Sequence, residues 1–180
     1  MSTPEPPHHA PSAAASDPAA LSFVELLAYE REELDRWAAF FASHPGALDV
    51  PFAEGRTATV RGVVQHIAAV ERRYADRLAG VPVTPYEAVP THPDAALLAA
   101  ARDANARLAA AAAGTSAEDL ARVLEFTTLS AGTQRASARK IVAHALLHGV
   151  RTWAQVATVL RQRGAATEWH HDLLFSEALT

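Results

Sequence analysis

The sequence contains no cysteine. This absence excludes disulfide bonds, thiolate metal sites, iron–sulfur clusters and cysteine nucleophiles at once. Lysine is nearly absent as well, since Lys140 is the only lysine among sixteen basic residues. This arginine-rich, lysine-poor usage is typical of bacteria with GC-rich genomes, so we expect a bacterial source.

The chain also lacks a basic surplus and long apolar runs. Its formal net charge is −4, whereas proteins that bind nucleic acid need a basic face. The longest apolar runs, such as Ala95 to Ala101 and Leu108 to Ala113, are far shorter than the roughly 20 residues that span a bilayer. Residues 1–16 have neither the basic nor the apolar region of a signal peptide. We therefore expect a cytoplasmic protein that binds neither nucleic acid nor membrane.

The distribution of proline divides the chain. Residues 1–16 contain four of the eleven prolines and too little apolar surface to fold, so we expect a disordered tail. Four more prolines lie between Pro82 and Pro93, which predicts a connection between helices. A chain of 180 residues suits one domain, which we place at residues 17–180.

Apolar residues recur at three- and four-residue spacing in four long segments. These predict helices at 18–43 (with Asp17 and Pro18 at its start), 58–79, 93–113 and 136–163. A short helical turn is predicted near 116–124, an extended stretch at 125–135 and a short last helix at 170–178. No alternation typical of strands is visible. We therefore predict an all-α protein, an antiparallel four-helix bundle with a short extra C-terminal helix.

Three of the nine histidines lie within predicted helices on or beside the apolar stripes. His144 and His148 are four residues apart, which places both imidazoles on one helix face. The same spacing allows HExxH helices to bind zinc. If the second and fourth long helices are neighbours, His66 would join them and three neutral imidazoles could hold one divalent cation. The alternative is that these histidines only form hydrogen bonds in the core.

Charged residues offer two further hypotheses. Glu30 interrupts the apolar stripe of the first helix, and an unpaired buried carboxylate is costly. It either forms an ion pair with an arginine or contributes to the histidine site. Several arginines could bind an anionic substrate or could instead be ordinary surface charges: Arg72, Arg73, Arg151, Arg161 and Arg163.

The segment from His144 to Gln155, followed by Leu160-Arg-Gln-Arg-Gly164, resembles the H-x-x-N-H-x-x-H-H-R-G-Q signature of the DinB/YfiT-like superfamily. Thr59 to Leu78 is similar to the helix that carries the first ligand in that family, and the resemblance spans nearly all of residues 18–180. It implies a four-helix bundle, commonly a homodimer, with a divalent metal such as zinc or nickel held by three histidines. Family members of known activity use low-molecular-weight thiols, in S-transfer or in isomerisation of maleylpyruvate.

The match departs from the family at one ligand. When the segments are aligned on Gln155, the ligands of the family fall at His148 and Thr152. One interpretation shifts the site by a turn and uses His66, His144 and His148, with Thr152 and Gln155 lining the pocket. The other retains only His66 and His148. The first predicts a metal-dependent enzyme acting on a small electrophile, and the second predicts a dimeric protein that binds ligands or partners without catalysis.

Overall fold

The computed structural model describes residues 20–128 and 131–178, which are mostly helical. All four predicted long helices are present, within a few residues of their predicted ends. The described residues form five α-helices and two strands: α1 Phe23–Ser43, α2 Val60–Ala79, α3 Asp94–Ala112, α4 Ala117–Ala121, β1 Val123–Thr128, β2 Gly132–Ser137 and α5 Ala138–Gln162. Within these ranges, no helix combines the length and apolar character that crossing a bilayer requires.

Side-chain caps determine where the helices begin. Ser22 accepts a hydrogen bond from the backbone of Glu25, whose carboxylate accepts one from the backbone of Ser22, so α1 starts with a capping box. The predicted start at Asp17 and Pro18 lies outside the described residues. At the start of α2, the side chain of Thr59 accepts a hydrogen bond from the backbone of Gly62, without a reciprocal bond. At the other end of α2, Gly80 adopts a left-handed conformation with φ of 68°, which glycine allows without strain.

The four long helices pack in a closed arrangement. α1 contacts α3 and α5, and α2 contacts the same two helices. Trp37 of α1 is fully buried at the centre of the larger core, where its ring stacks on Phe41 and on Trp153 of α5 at centroid distances of 5.5 and 5.0 Å. The contacts between α2 and α5 place one face of α2 directly beside α5.

The stretch predicted to be extended forms an antiparallel hairpin. β1 pairs with β2 from Val123 opposite Ser137 to Thr128 opposite Gly132. The prediction of an all-α protein is therefore wrong in this respect, because the fold includes a two-stranded sheet. Alternate residues of β1 are half-buried (Leu124, Phe126 and Thr128), but the first four residues of β2 are all exposed, so the alternation is confined to one short strand. Phe126 of β1 nevertheless packs edge-on against Tyr74 of α2 at 5.9 Å, which fixes the hairpin beside that helix.

The C-terminal segment contains less helix than the prediction of a short helix at 170–178. Its only regular structure among the described residues is a 3-10 turn at Leu173–Phe175. Side chains of α1 hold the segment instead: Glu33 accepts hydrogen bonds from Trp169 Nε1 at 3.1 Å and contacts His171 Nδ1 at 2.6 Å. The hydroxyl of Tyr29 donates to the carbonyl of His171. Tertiary hydrogen bonds thus replace the helix that local sequence suggested.

Candidate functional site

The packing of α2 against α5 brings two of the three predicted histidines together. The Nε2 atoms of His66 and His148 are 3.1 Å apart. His144 lies one turn before His148, with 6.0 Å between the ring centroids. Its ring packs edge-on against Tyr74 at 5.6 Å. The three imidazoles therefore form a row along one face, in which only the first pair is in direct contact.

Both contacting imidazoles favour the neutral form. Burial, and then the positive charge that His66, His144 and Arg151 can present, lowers the pKa of His148 to about 4. Burial followed by the charge of Arg151 also lowers the pKa of His66. Neutral imidazole is the form that binds metals. When no cation is bound, the Nε2–H of one neutral ring donates a hydrogen bond to the Nε2 of the other at 3.1 Å.

The histidine pair fits one divalent cation. Two nitrogens that are each 2.0–2.1 Å from one ion in near-tetrahedral geometry lie about 3.0–3.4 Å apart, and the observed separation is 3.1 Å. In residues 20–128 and 131–178, however, no group of three or more histidine or acidic side chains is arranged to hold a metal. The separation therefore suits two nitrogens on one ion, without a third histidine or acidic side chain placed to join them in the described ranges.

The other two residues predicted from the α5 motif lie elsewhere. Thr152 is buried, and its hydroxyl donates a 2.6 Å hydrogen bond to the carbonyl of His148. Its oxygen is thus engaged with its own helix. Gln155 is exposed on α5. Neither of them is among the described residues that line the cavity beside the histidines.

That cavity has a volume of about 530 Å³ and opens between α2, α5 and the hairpin. His66, His144 and His148 lie on its wall. Of the arginines proposed from the sequence, Arg73 and Arg151 also line it. Arg72 instead pairs with Asp76 and Asp103. The positively charged residues on the wall are Arg73, Arg77, Arg135, Lys140 and Arg151.

The family model described as DinB family matches residues 18–179. The chain belongs to the DinB family. The comparison with curated proteins finds no match for it. Family membership confirms the resemblance noted in the α5 and α2 segments.

In this DinB family protein, a second polar centre lies behind the histidines. Glu30 of α1 is 2% exposed and lies beside Glu71 of α2, which is 3% exposed, and neither carboxylate oxygen of Glu30 has a hydrogen-bond partner among the described residues. Gly149 of α5 faces both, because a Cβ placed on it would lie 1.8 Å from Oε1 of Glu30 and 3.7 Å from Oε1 of Glu71. Glu30 thus pairs with another acid rather than with an arginine, and it is not among the cavity-lining residues described.

Burial raises the pKa of both glutamates, and the charge of Glu30 raises that of Glu71 further. Two buried carboxyl groups in contact cannot both ionise cheaply, so they share a proton. The pair then carries at most one negative charge at neutral pH.

Sequence reasoning missed Glu71, Tyr86 and three of the cavity cations, Arg77, Arg135 and Lys140. Glu71 had a signal, because it lies four residues after Ile67 on the buried side of α2. Tyr86 lies in the proline-rich connection, where no periodicity indicates burial. Arg135 reaches the cavity only because β2 pairs with β1 beside α2.

Proposed function

We propose that this DinB family protein is a divalent-metal-dependent enzyme that transfers a thiol to a small electrophile or isomerises one with the help of a thiol. The observation that carries the proposal is the contact of His66 Nε2 with His148 Nε2 at 3.1 Å, on the wall of an open cavity. The proposal includes an antiparallel four-helix bundle of the DinB/YfiT-like type that forms a homodimer.

His66 and His148 would hold the metal, zinc or nickel, through their Nε2 atoms. His144 would complete the set, because it lines the same cavity one turn earlier on α5. When bound, a divalent metal lowers the pKa of a thiol or water and so provides a nucleophile at neutral pH. The thiol must be a low-molecular-weight cofactor, since the chain has no cysteine.

The remaining residues bind and shield the reactants. Tyr74 and Phe126 form an apolar part of the cavity wall, which excludes water from one side of a bound electrophile. The low pKa of His148 keeps its Nε2 lone pair available at pH 7.

A second candidate function is a ligand-binding protein without catalysis. The position of Thr152 supports it, because its hydroxyl is bonded to a backbone carbonyl where the family has a ligand. The two candidates predict different metal affinities, so one set of variants separates them.

The decisive experiment is zinc and nickel titration of the untagged full chain by calorimetry, together with elemental analysis. The enzyme proposal predicts tight, stoichiometric binding that His144→Ala abolishes and Thr152→His barely improves. Metal should also raise the melting temperature by linkage. His92→Ala is the matched control, since His92 is exposed and lies in the connection between helices.

The second candidate predicts weak binding by the wild type and a gain of orders of magnitude in Thr152→His, because that change places a third imidazole one turn after His148. Tight binding that survives His144→Ala would show that the ligand set is wrong. If neither the wild type nor Thr152→His binds metal, the histidine pair is not a metal site.

A further inference from the structure

The cavity beside the histidines collects positive charge from three elements. Arg73 and Arg77 lie on α2, Arg135 on β2, and Lys140 and Arg151 on α5. No aspartate or glutamate is among the lining residues in the described ranges, although the whole chain has a net charge of −4. Arg135 pairs with Glu125 at 3.7 Å, but the other four cations repel one another, and an anion in the cavity would relieve this repulsion.

The two arginines of α2 are oriented without being neutralised. Arg73 donates to the carbonyl of Thr84 at 2.8 Å, and Arg77 donates to the carbonyl of Thr127 at 3.1 Å. Backbone carbonyls fix a guanidinium in place but leave its charge uncompensated. Elsewhere the protein pairs a buried arginine with acids, as Arg61 does with two aspartates.

The charge of the cavity acts on its other groups. Burial is the largest cause that lowers the pKa of Arg77, and the positive charge of Arg73 is the second. Arg151 likewise contributes to the lowered pKa of His66 and of His148. Within the part of the chain that the structure describes, neither Arg151 nor Lys140 forms an ion pair.

A neutral donor on the same wall also lacks a partner. Tyr86 is 6% exposed, and its buried hydroxyl forms no hydrogen bond with any described residue. Its ring lies 6.2 Å from that of His66. A buried hydroxyl without an acceptor is costly, and Tyr86 lines the cavity that holds the cations.

We propose that this cavity binds a small organic anion, a carboxylate or a phosphate ester. Its oxygens accept a hydrogen bond from the hydroxyl of Tyr86 and pair with Arg73, Lys140 and Arg151. The carbon part of the ligand lies against Phe126. This inference rests on the proposed function in one respect, because it names the substrate class of the same cavity. The cations that would bind the anion are different residues from the three histidines.

The test uses calorimetric titration of the full chain, freed of metal with EDTA, at constant ionic strength. The probes are succinate, inorganic phosphate and the neutral analogue succinamide. We expect one equivalent of an anion to bind and succinamide to bind at least about tenfold more weakly, because charged hydrogen bonds are worth that factor or more. The tighter of the two anions identifies the headgroup as carboxylate or phosphate.

Variants identify the binding groups. Arg73→Gln and Arg151→Gln should each weaken anion binding by about tenfold. Tyr86→Phe should weaken it about threefold or more while leaving the melting temperature unchanged or higher, because it removes an unpartnered hydroxyl. Arg163→Gln is the control, since Arg163 is exposed and is not among the described lining residues.

Three results would overturn the proposal: no heat with either anion, equal affinity for succinate and succinamide, or unchanged affinity in both arginine variants. His66→Ala removes a proposed metal ligand but none of the proposed anion-binding groups, so it separates this test from that of the proposed function. If the wild type binds anions but no metal, only the metal proposal fails. If it binds metal but no anion, only the anion site fails.

Discussion

Replacing Gly149 by alanine tests the buried glutamate pair directly. The new Cβ would lie 1.8 Å from Oε1 and 3.1 Å from Cδ of Glu30. Glu30 is 2% exposed, so its carboxyl group cannot move into solvent without opening the core. In an open helix this substitution stabilises by roughly 0.8–1 kcal/mol.

Here the steric cost should exceed that gain. Overpacking of a core costs about 1–3 kcal/mol, and displacing Glu30 from Glu71 adds about 1–3 kcal/mol for an unsatisfied buried group. After the helix-propensity gain is subtracted, we expect a net loss of about 1–5 kcal/mol. For a domain of this size, each 1 kcal/mol lowers the melting temperature by about 2–4 °C.

Urea unfolding followed by circular dichroism measures this loss. Ala154→Gly, at an exposed position of the same helix, calibrates the propensity contribution alone. In the double variant Glu30→Ala/Gly149→Ala, the clash is removed, so its loss should be smaller than the sum of the two single losses. If Gly149→Ala is as stable as the wild type or more stable, Glu30 does not occupy the space beside α5 and the reasoning is refuted.

Three further predictions concern the buried charges and the C-terminal segment. The pKa of His148 in the folded protein, about 4, is below its ordinary 6.5, so the unfolded chain binds more protons between these values. Stability should fall as the pH drops from about 6.5 to 4, and this slope should be shallower in His148→Gln. The raised pKa of Glu30, about 8, has the opposite sign, so its stabilising contribution is lost as the pH rises from 4.5 to about 8; over this range Glu30→Gln should lose less stability than the wild type. Glu33→Ala removes the acceptor for Trp169 and the partner of His171, which should lower stability by about 1–3 kcal/mol and shift tryptophan emission to longer wavelength, whereas unchanged emission would contradict the docking of this segment on α1.

The long helices could be predicted because each buries one face at helical spacing and ends at a recognisable residue, as α2 does at Gly80. The hairpin could not be predicted as a pair of strands, because only β1 alternates between exposed and half-buried residues and the first four residues of β2 are all exposed. The C-terminal segment was predicted as helix because local propensity says nothing of Glu33, more than 130 positions away, which holds it.

The candidate site divides in the same way. Spacing alone placed His144 and His148 on one face, and their meeting with His66 required only that α2 and α5 be neighbours. The other residues around the histidines come from distant segments of the chain, and no local sequence pattern predicts which segments meet there. Tyr86 reaches the cavity from an irregular connection, and Arg135 reaches it from a strand whose register is set by pairing.

The two polar centres are joined through consecutive residues of α5. His148 contacts His66 of α2, while the next residue, Gly149, faces Glu30 of α1. Successive helix positions differ by about 100°, so one turn of α5 contacts an imidazole on one side and an acid pair on the other. The absent side chain at 149 leaves room for Glu30, because a Cβ there would lie 1.8 Å from its Oε1. Counting ligands along α5 overlooks this constraint, since the turn that carries His148 lies against the acid pair only with glycine at the next position.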